Sequence, residues 1–294
     1  MTVIGIFGPT ASGKTRVAAT LAERIPADLV SADAMQVYRG LPILTNQAPA
    51  RLVAIWPLDH EASVGEYAPL AHAAIDEILA AGRTPVVVGG TGLYLRAAVA
   101  DLGLPAAPAP GERERWERIY DDDPALAHER LGELDPAAAT AVHRNDRRRV
   151  VRALELVAAG ASLAPQTDRL WAEETRHPTV LVGLDVPKDV LEQRIEERTR
   201  AMFDVGVVDE VRAALAGPVS TTARKTLGLD EVATLPREEA IEAIVVRTRR
   251  YAAYQRKWMR RVPGLVMVDA DRPPGEIADD IVSLAGPREH LPRR

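Results

Sequence analysis

An α/β fold is what the 294-residue sequence predicts: a parallel sheet flanked by helices and interrupted by a small all-helical insertion. Three observations carry this. Short apolar, β-branched runs at 2–7, 28–31, 84–88 and 179–184 alternate with stretches of helical periodicity, the signature of βαβ units. Two of those runs end in glycine-rich segments, at Gly8 and at Gly89-Gly90. Between Glu112 and Gly160, by contrast, no convincing strand pattern occurs.

Taken in order, 2–7 reads as a buried strand and 14–24 as a helix with Val17, Ala18, Leu21 and Ile25 on one face. A second short strand follows at 28–31. The stretch 68–81 reads as a helix closed by Gly82, and 84–88 as a third strand. From about Asp101 the texture changes. Proline and alanine dominate 104–111, which reads as a linker. Trp116, Ile119, Tyr120, Leu126, Leu131, Leu134, Val150, Leu154 and Val157 then recur at helical spacing. The sheet resumes at 179–184, long helices are expected over 188–203, 204–215 and 238–261, and a last strand over 265–268. The tail beyond Gly286 is expected to fray. The expected division is a first core segment 1–100, the helical insertion 101–175, and a second core segment 176–294.

Composition narrows the chemistry. The absence of cysteine excludes disulfides, a thiolate nucleophile and cysteine-bound zinc. No apolar run reaches the length of a membrane span and no signal-peptide pattern opens the chain, so a cytoplasmic protein is expected, acting without a membrane. The net charge of −5 argues weakly against nucleic acid, but charge is segregated: basic residues concentrate at 144–152 and 247–261, and local distribution matters more than the sum.

Gly8-Pro9-Thr10-Ala11-Ser12-Gly13-Lys14-Thr15 matches the phosphate-loop pattern G-x-x-x-x-G-K-[ST] between an expected strand and an expected helix. Glycines let several backbone N–H groups converge on one anion, and the helix N-terminus adds positive partial charge. Lys14 supplies a full charge and Thr15 a hydroxyl for Mg²⁺. The expected fold is therefore a P-loop NTPase-like parallel sheet. The motif marks a di- or triphosphate site without saying which. After the second strand comes Ser31-Ala32-Asp33-Ala34-Met35-Gln36-Val37-Tyr38, placing Asp33 at a strand's carboxyl end, where ligands gather in such sheets. An isolated aspartate there is more often a cap or turn residue. Gly89-Gly90-Thr91-Gly92-Leu93-Tyr94 follows the third strand; its glycines permit close approach of a ligand or simply form a turn into the next helix, and Thr91 would point a hydroxyl into the same crevice.

The P-loop, S-x-D-x-x-Q-V-Y and G-G-T-G-L-Y, in this order, resemble the tRNA dimethylallyltransferase (isopentenyltransferase) family. Asp135-Pro136, His143, Asn145-Asp146 and Arg152-Ala153-Leu154-Glu155 resemble a further stretch of it, as do Thr222-Ala223-Arg224-Lys225 with Gly228, and Arg247 to Ala252 with Gln255 and Trp258. The resemblance spans roughly residues 3 to 270. This chain departs from it at Ala34 (usually serine), over 41–47 (L-P-I-L-T-N-Q), at Pro57-Leu58-Asp59-His60 in place of paired histidines, and at Arg148 (usually glutamine).

The resemblance implies transfer of a dimethylallyl group from dimethylallyl diphosphate to the exocyclic amine of the adenine 3′ to the anticodon, by a monomeric enzyme using Mg²⁺ held at Thr15. The P-loop would hold the donor's diphosphate. Asp33, Thr91 and Arg224 would be catalytic: Asp33 as general base, Arg224 stabilising the departing diphosphate, Thr91 orienting donor or acceptor. Contact with the tRNA anticodon stem-loop is expected from Asp33, Ala34, Met35, Gln36, Thr91, Arg113, Arg148, Arg149, Arg152, Arg249 and Arg250. His60 and His143 are rivals for the base on residue type alone. A P-loop small-molecule kinase, an adenylate isopentenyltransferase acting on free nucleotide, and a catalytically silent RNA-binding protein are the alternative readings.

Overall fold

The computed structural model describes residues 1–104, 111–163 and 169–286. Most of the linker expected at 104–111 and the tail expected to fray after Gly286 lie outside the described residues. The chain divides into two units. One combines Met1–Leu102 with the chain from Leu170 onward; the other is Gly103–Arg169.

The first unit is built on five parallel strands: β1 (Val3–Phe7), β2 (Ala27–Ser31), β3 (Thr84–Gly89), β4 (Thr179–Asp185) and β5 (Leu265–Asp269), in spatial order β2-β3-β1-β4-β5. Every residue of β1 is buried, as a central parallel strand covered on both faces requires. Around the sheet lie α1 (Lys14–Arg24), α2 (Val64–Ala80), α3 (Gly92–Val99), and, in the second half, α8 (Lys188–Asp204), α9 (Val207–Ala214), α10 (Leu229–Thr234), α11 (Arg237–Met259) and α12 (Pro274–Ala285). Two hydrophobic cores cover its two faces, one centred on Ile4, Ile6, Val182 and Leu184, the other on Phe7, Val30, Val87 and Leu181. The P-loop NTPase-like sheet expected from sequence is thus present.

Boundaries moved where capping chemistry overrides periodicity. Helix α2 begins four residues earlier than expected, because Ser63 and Glu66 form a reciprocal capping box. Pro69 falls inside that helix, within its second turn. Helix α9 starts at Val207 rather than Asp204, since Gly206 adopts a left-handed φ of 101° that ends one helix and opens the next. Helices α10 and α12 were not expected. Fully buried Arg96 on α3 donates to the carbonyls of Leu170 (3.0 Å) and Ala172 (2.7 Å), fastening the returning chain to the sheet layer.

The second unit holds four helices: α4 (Glu112–Asp122), α5 (Pro124–Leu134), α6 (Pro136–Ala141) and α7 (Arg147–Ala158). Trp116, Tyr120, Leu131, Val150 and Leu154 form its own core. Aspartates open three of the helices. Asp123 accepts from Ala125 and Leu126, Asp135 from Ala138, and Asp146 from Arg149, each at about 3 Å.

Candidate active site

Strand order explains why three motifs far apart in sequence meet. Because β3 lies between β1 and β2, the loops leaving their carboxyl ends are neighbours: the P-loop after Phe7, the Thr91 turn after Gly89, and the Asp33 loop after Ser31. The P-loop and the Asp33 loop edge a cavity of about 740 Å³ lined by Thr10 to Val17, Asp33, Met35, Gln36, residues 44–48, and side chains of α8 and α11.

In the P-loop, Ala11 (φ 63°) and Gly13 (φ 88°) are left-handed, the local twist that turns successive N–H groups inward. Lys14 folds back so that its Nζ donates to the Pro9 carbonyl at 2.7 Å. Burial pushes its ammonium down to about 8, against the opposing pull of the Asp33 charge and with a further push from Arg198. Arg198, on α8, is itself lowered by burial and faces Asp33 electrostatically. Nothing in its local sequence marked Arg198 as a site residue. Only the packing of α8 brings it into the cavity.

Asp33 is half-buried. Its Oδ1 accepts the Met35 N–H at 3.0 Å, and no other hydrogen bond to the carboxylate occurs among the described residues. Thr91 Oγ1 accepts the Ala34 N–H (3.2 Å) and lies 3.4 Å from the Tyr251 hydroxyl. Burial and the Asp33 charge both hold the Tyr251 phenol well above its ordinary value, so it remains a protonated donor. Tyr94 is raised in the same way, burial first, then Tyr38 and Asp33.

The glycines after β3 are explained by packing within the chain. A Cβ on Gly89 would collide with the Ala32 carbonyl, one on Gly90 with the Gln255 amide, and one on Gly92 with the Trp258 ring. Gln36 also turns inward. It accepts from Ser31 Oγ (2.9 Å) and donates to the carbonyls of Thr45 (3.1 Å) and Asn46 (3.0 Å), bracing the 41–47 segment. Glu210 caps that segment by accepting from Ile43 and Leu44.

Arg224 departs from expectation. It sits in a single 3-10 turn (Ala223–Lys225), with its side chain 55% exposed, pairs with Asp230 at 3.1 Å, and does not line the cavity. The cation facing the P-loop lysine is Arg198. His60 stacks on Trp56 and reaches toward Glu66, away from the cavity, while His143 is exposed in the second unit.

The arginines sort by partner. On α11, Arg249 faces Glu192 and Glu196, Arg247 pairs with Glu231, and Arg256 with Asp185. Arg250, Tyr254 and Lys257 lie exposed along one stripe of that helix. At its end Trp258 packs on Trp171, and Arg261 covers the Trp171 ring at 3.9 Å. In the second unit, Arg113 and Arg152 flank the fully buried carboxylate of Glu155 at 3.7 and 3.0 Å. Arg148 and Arg149 are exposed, the latter within 3.9 Å of Asp146.

The family model described as IPP transferase matches residues 36–262, and that described as isopentenyl transferase matches residues 1–50. The chain belongs to the IPP transferase family. Among curated members, a tRNA dimethylallyltransferase of Corynebacterium jeikeium is 37% identical over 286 residues, covering 92% of each chain. One of Thermobifida fusca is 38% identical, covering 92% of this chain and 91% of that one. Among solved members, the tRNA isopentenylpyrophosphate transferase of Bacillus halodurans superposes with a TM-score of 0.66 at 30% identity, covering 96% of both chains. A eukaryotic dimethylallyltransferase described as acting on tRNA gives a TM-score of 0.74 at 25% identity, covering 92% of this chain and 74% of that one. Among the described residues no helix is long and apolar enough to cross a membrane.

Proposed function

We propose that this chain transfers a dimethylallyl group from dimethylallyl diphosphate to the exocyclic amine of the adenine 3′ to the anticodon of tRNA, releasing diphosphate. The observation that carries the reading is the convergence of a P-loop and a carboxylate on one cavity large enough for a small donor and a flipped base, with the Thr91 hydroxyl bonded to the residue after that carboxylate. A plain phosphate-binding protein has no use for Asp33 there.

Breaking the allylic C–O bond places negative charge on the departing diphosphate. The P-loop N–H groups, Lys14 and Arg198 are preorganised to stabilise it as it develops. The acceptor amine is a poor nucleophile, because its lone pair is delocalised into the ring. Asp33 has one oxygen committed to Met35 and the other open to accept a proton as the C–N bond forms. Thr91, anchored by the Ala34 N–H and 3.4 Å from the Tyr251 hydroxyl, would help orient the acceptor base beside Asp33.

Mg²⁺ fits these residues. The described residues contain no cluster of three histidine or acidic side chains that would make an all-protein metal site. Mg²⁺ commonly arrives with substrate phosphates and keeps most of its waters, needing little more than the Thr15 hydroxyl. Bound there, it would neutralise diphosphate charge. Arg148 and Arg149 in the second unit, and Arg250 and Lys257 on α11, are among the exposed cations available to tRNA phosphates, with Tyr254 for stacking.

Incubation with labelled dimethylallyl diphosphate and, in parallel, unmodified tRNA or AMP tests the proposal. Label in tRNA at the adenine 3′ to the anticodon is expected. Label in AMP alone would replace this reading with action on free nucleotide. Phosphate transfer from ATP to a small acceptor would replace it with a kinase.

A further inference from the structure

Gln255 lies on α11, 2% exposed, directly between two loops of the site. Its Oε1 accepts the Thr10 N–H at 2.8 Å and its Nε2 donates to the Gly90 carbonyl at 2.8 Å. These backbone partners fix the amide's orientation, since an N–H can only donate and a carbonyl only accept. Among the described residues no other side chain hydrogen-bonds both loops. The linkage continues, because Thr91 follows Gly90 and receives the N–H of Ala34, the neighbour of Asp33.

We infer that Gln255 is a positioning residue for prenyl transfer: its amide sets the distance between the loop gripping the diphosphate and the Gly90-Thr91 loop, which in turn holds Ala34 beside the proton acceptor Asp33. The inference rests on the proposed reaction. A hydrophobic side chain would fill the same space without burying an amide, but it would leave the two loops to find their separation independently. Reacting groups lose rate steeply when misplaced, by about 10²-fold for about 1 Å. Gly90 belongs to the same device, since a Cβ there would displace the Gln255 amide.

The test uses full-length Gln255→Glu and Gln255→Met, with single-turnover prenylation of unmodified tRNA at saturating substrates between pH 6 and 9. Inorganic diphosphate affinity and hydrogen exchange of peptides spanning Thr10 and Gly90 are measured alongside. Gln255→Met should slow the step by about 10²-fold at every pH, with the diphosphate Kd within threefold of wild type, and both peptides should exchange faster together. Gln255→Glu separates positioning from packing. Its ionised carboxylate faces the Gly90 carbonyl and cannot donate, whereas its acid form can, and burial raises that titration from the ordinary carboxylate range into the assayed range. Its rate relative to wild type should therefore recover at least tenfold as pH falls from 9 to 6. A folded Gln255→Glu with a flat ratio, or Gln255→Met within threefold of wild type, would overturn the inference; should the glutamate variant not fold, the methionine variant decides. Hydrogen exchange needs no turnover. If wild type does not prenylate tRNA, the proposed function falls while the coupling of the loops is still read.

Discussion

Replacing Lys14 by methionine should make the empty protein more stable while removing its grip on diphosphate. Burial lowers the ammonium from 10.5 to about 8, so at pH 7 the folded state carries a charge it disfavours by about 3 kcal/mol at ~1.36 kcal/mol per unit. Methionine removes that cost and loses the Nζ bond to the Pro9 carbonyl, worth about 1 kcal/mol. The net gain is about 2 kcal/mol at pH 7, or a Tm rise of about 4–8 °C for a unit of this size. The sign follows from linkage. Below pH 8 both folded and unfolded lysines are protonated and the full cost is present; between pH 8 and 10.5 the folded protein releases its proton first and the cost fades. The advantage of Lys14→Met should therefore shrink above pH 8 and reverse by about 1 kcal/mol once only the hydrogen bond distinguishes the two. Thermal and urea denaturation of both proteins at pH 7 and pH 10, with and without inorganic diphosphate, measures it. Diphosphate should raise the Tm of wild type far more than that of the variant. A variant less stable than wild type at pH 7, or a difference that ignores pH, would refute the reasoning.

Asp33→Asn preserves the oxygen that accepts from Met35 but not the proton sink, so the saturated single-turnover rate should fall by about 10²-fold or more while tRNA and donor still bind; a rate within threefold of wild type would remove Asp33 from the chemistry, and rescue by high Mg²⁺ would move it to the metal. Arg198→Ala should raise the donor KM and slow turnover, whereas Arg224→Ala should leave the donor KM within threefold; steady-state kinetics with varied donor distinguishes them. Arg148→Ala with Arg149→Ala should raise the tRNA KM without touching the donor KM, and reduce the salt slope by up to about 2. Arg152→Ala is a poorer probe of tRNA, because it strips one partner from buried Glu155 and should cost stability by about 3 kcal/mol or more, read by denaturation.

The fold was legible because its signals are local. The runs at β1, β3 and β4 are apolar and β-branched with a change of period on either side, and the P-loop is a contiguous eight-residue pattern. What was not legible depends on tertiary register. Strand order alone places Thr91 between the P-loop and Asp33, and no residue near Arg198 or Gln255 announces where α8 and α11 will dock. The Gly89 to Gly92 turn misleads in the opposite sense: glycines that could admit a ligand instead admit Ala32, Gln255 and Trp258. Arginine clusters read as a free surface are partly internal pairs, since carboxylates such as Glu155, Glu192 and Glu231 sit far away in sequence or on an unseen helical face. Arg224 stands out by its motif neighbours alone, and sequence does not show that its short 3-10 turn pairs it with Asp230.

Helix α11 acts as a ruler. Its 23 residues span roughly 35 Å, and Ile244, Thr248, Tyr251 and Gln255 line the cavity at steps of four, three and four. Inserting a single residue between Ile244 and Gln255 would rotate everything beyond it by about 100°, swinging Gln255 off both loops and Trp258 off Gly92. An insertion of four residues would nearly restore the facing but shift it by about 6 Å. Changes of side chain along the solvent stripe alter one contact each; a change of length alters all of them at once. Insertions and deletions should therefore be tolerated in the connection between α9 and the Ala223–Lys225 turn, and excluded from this helix.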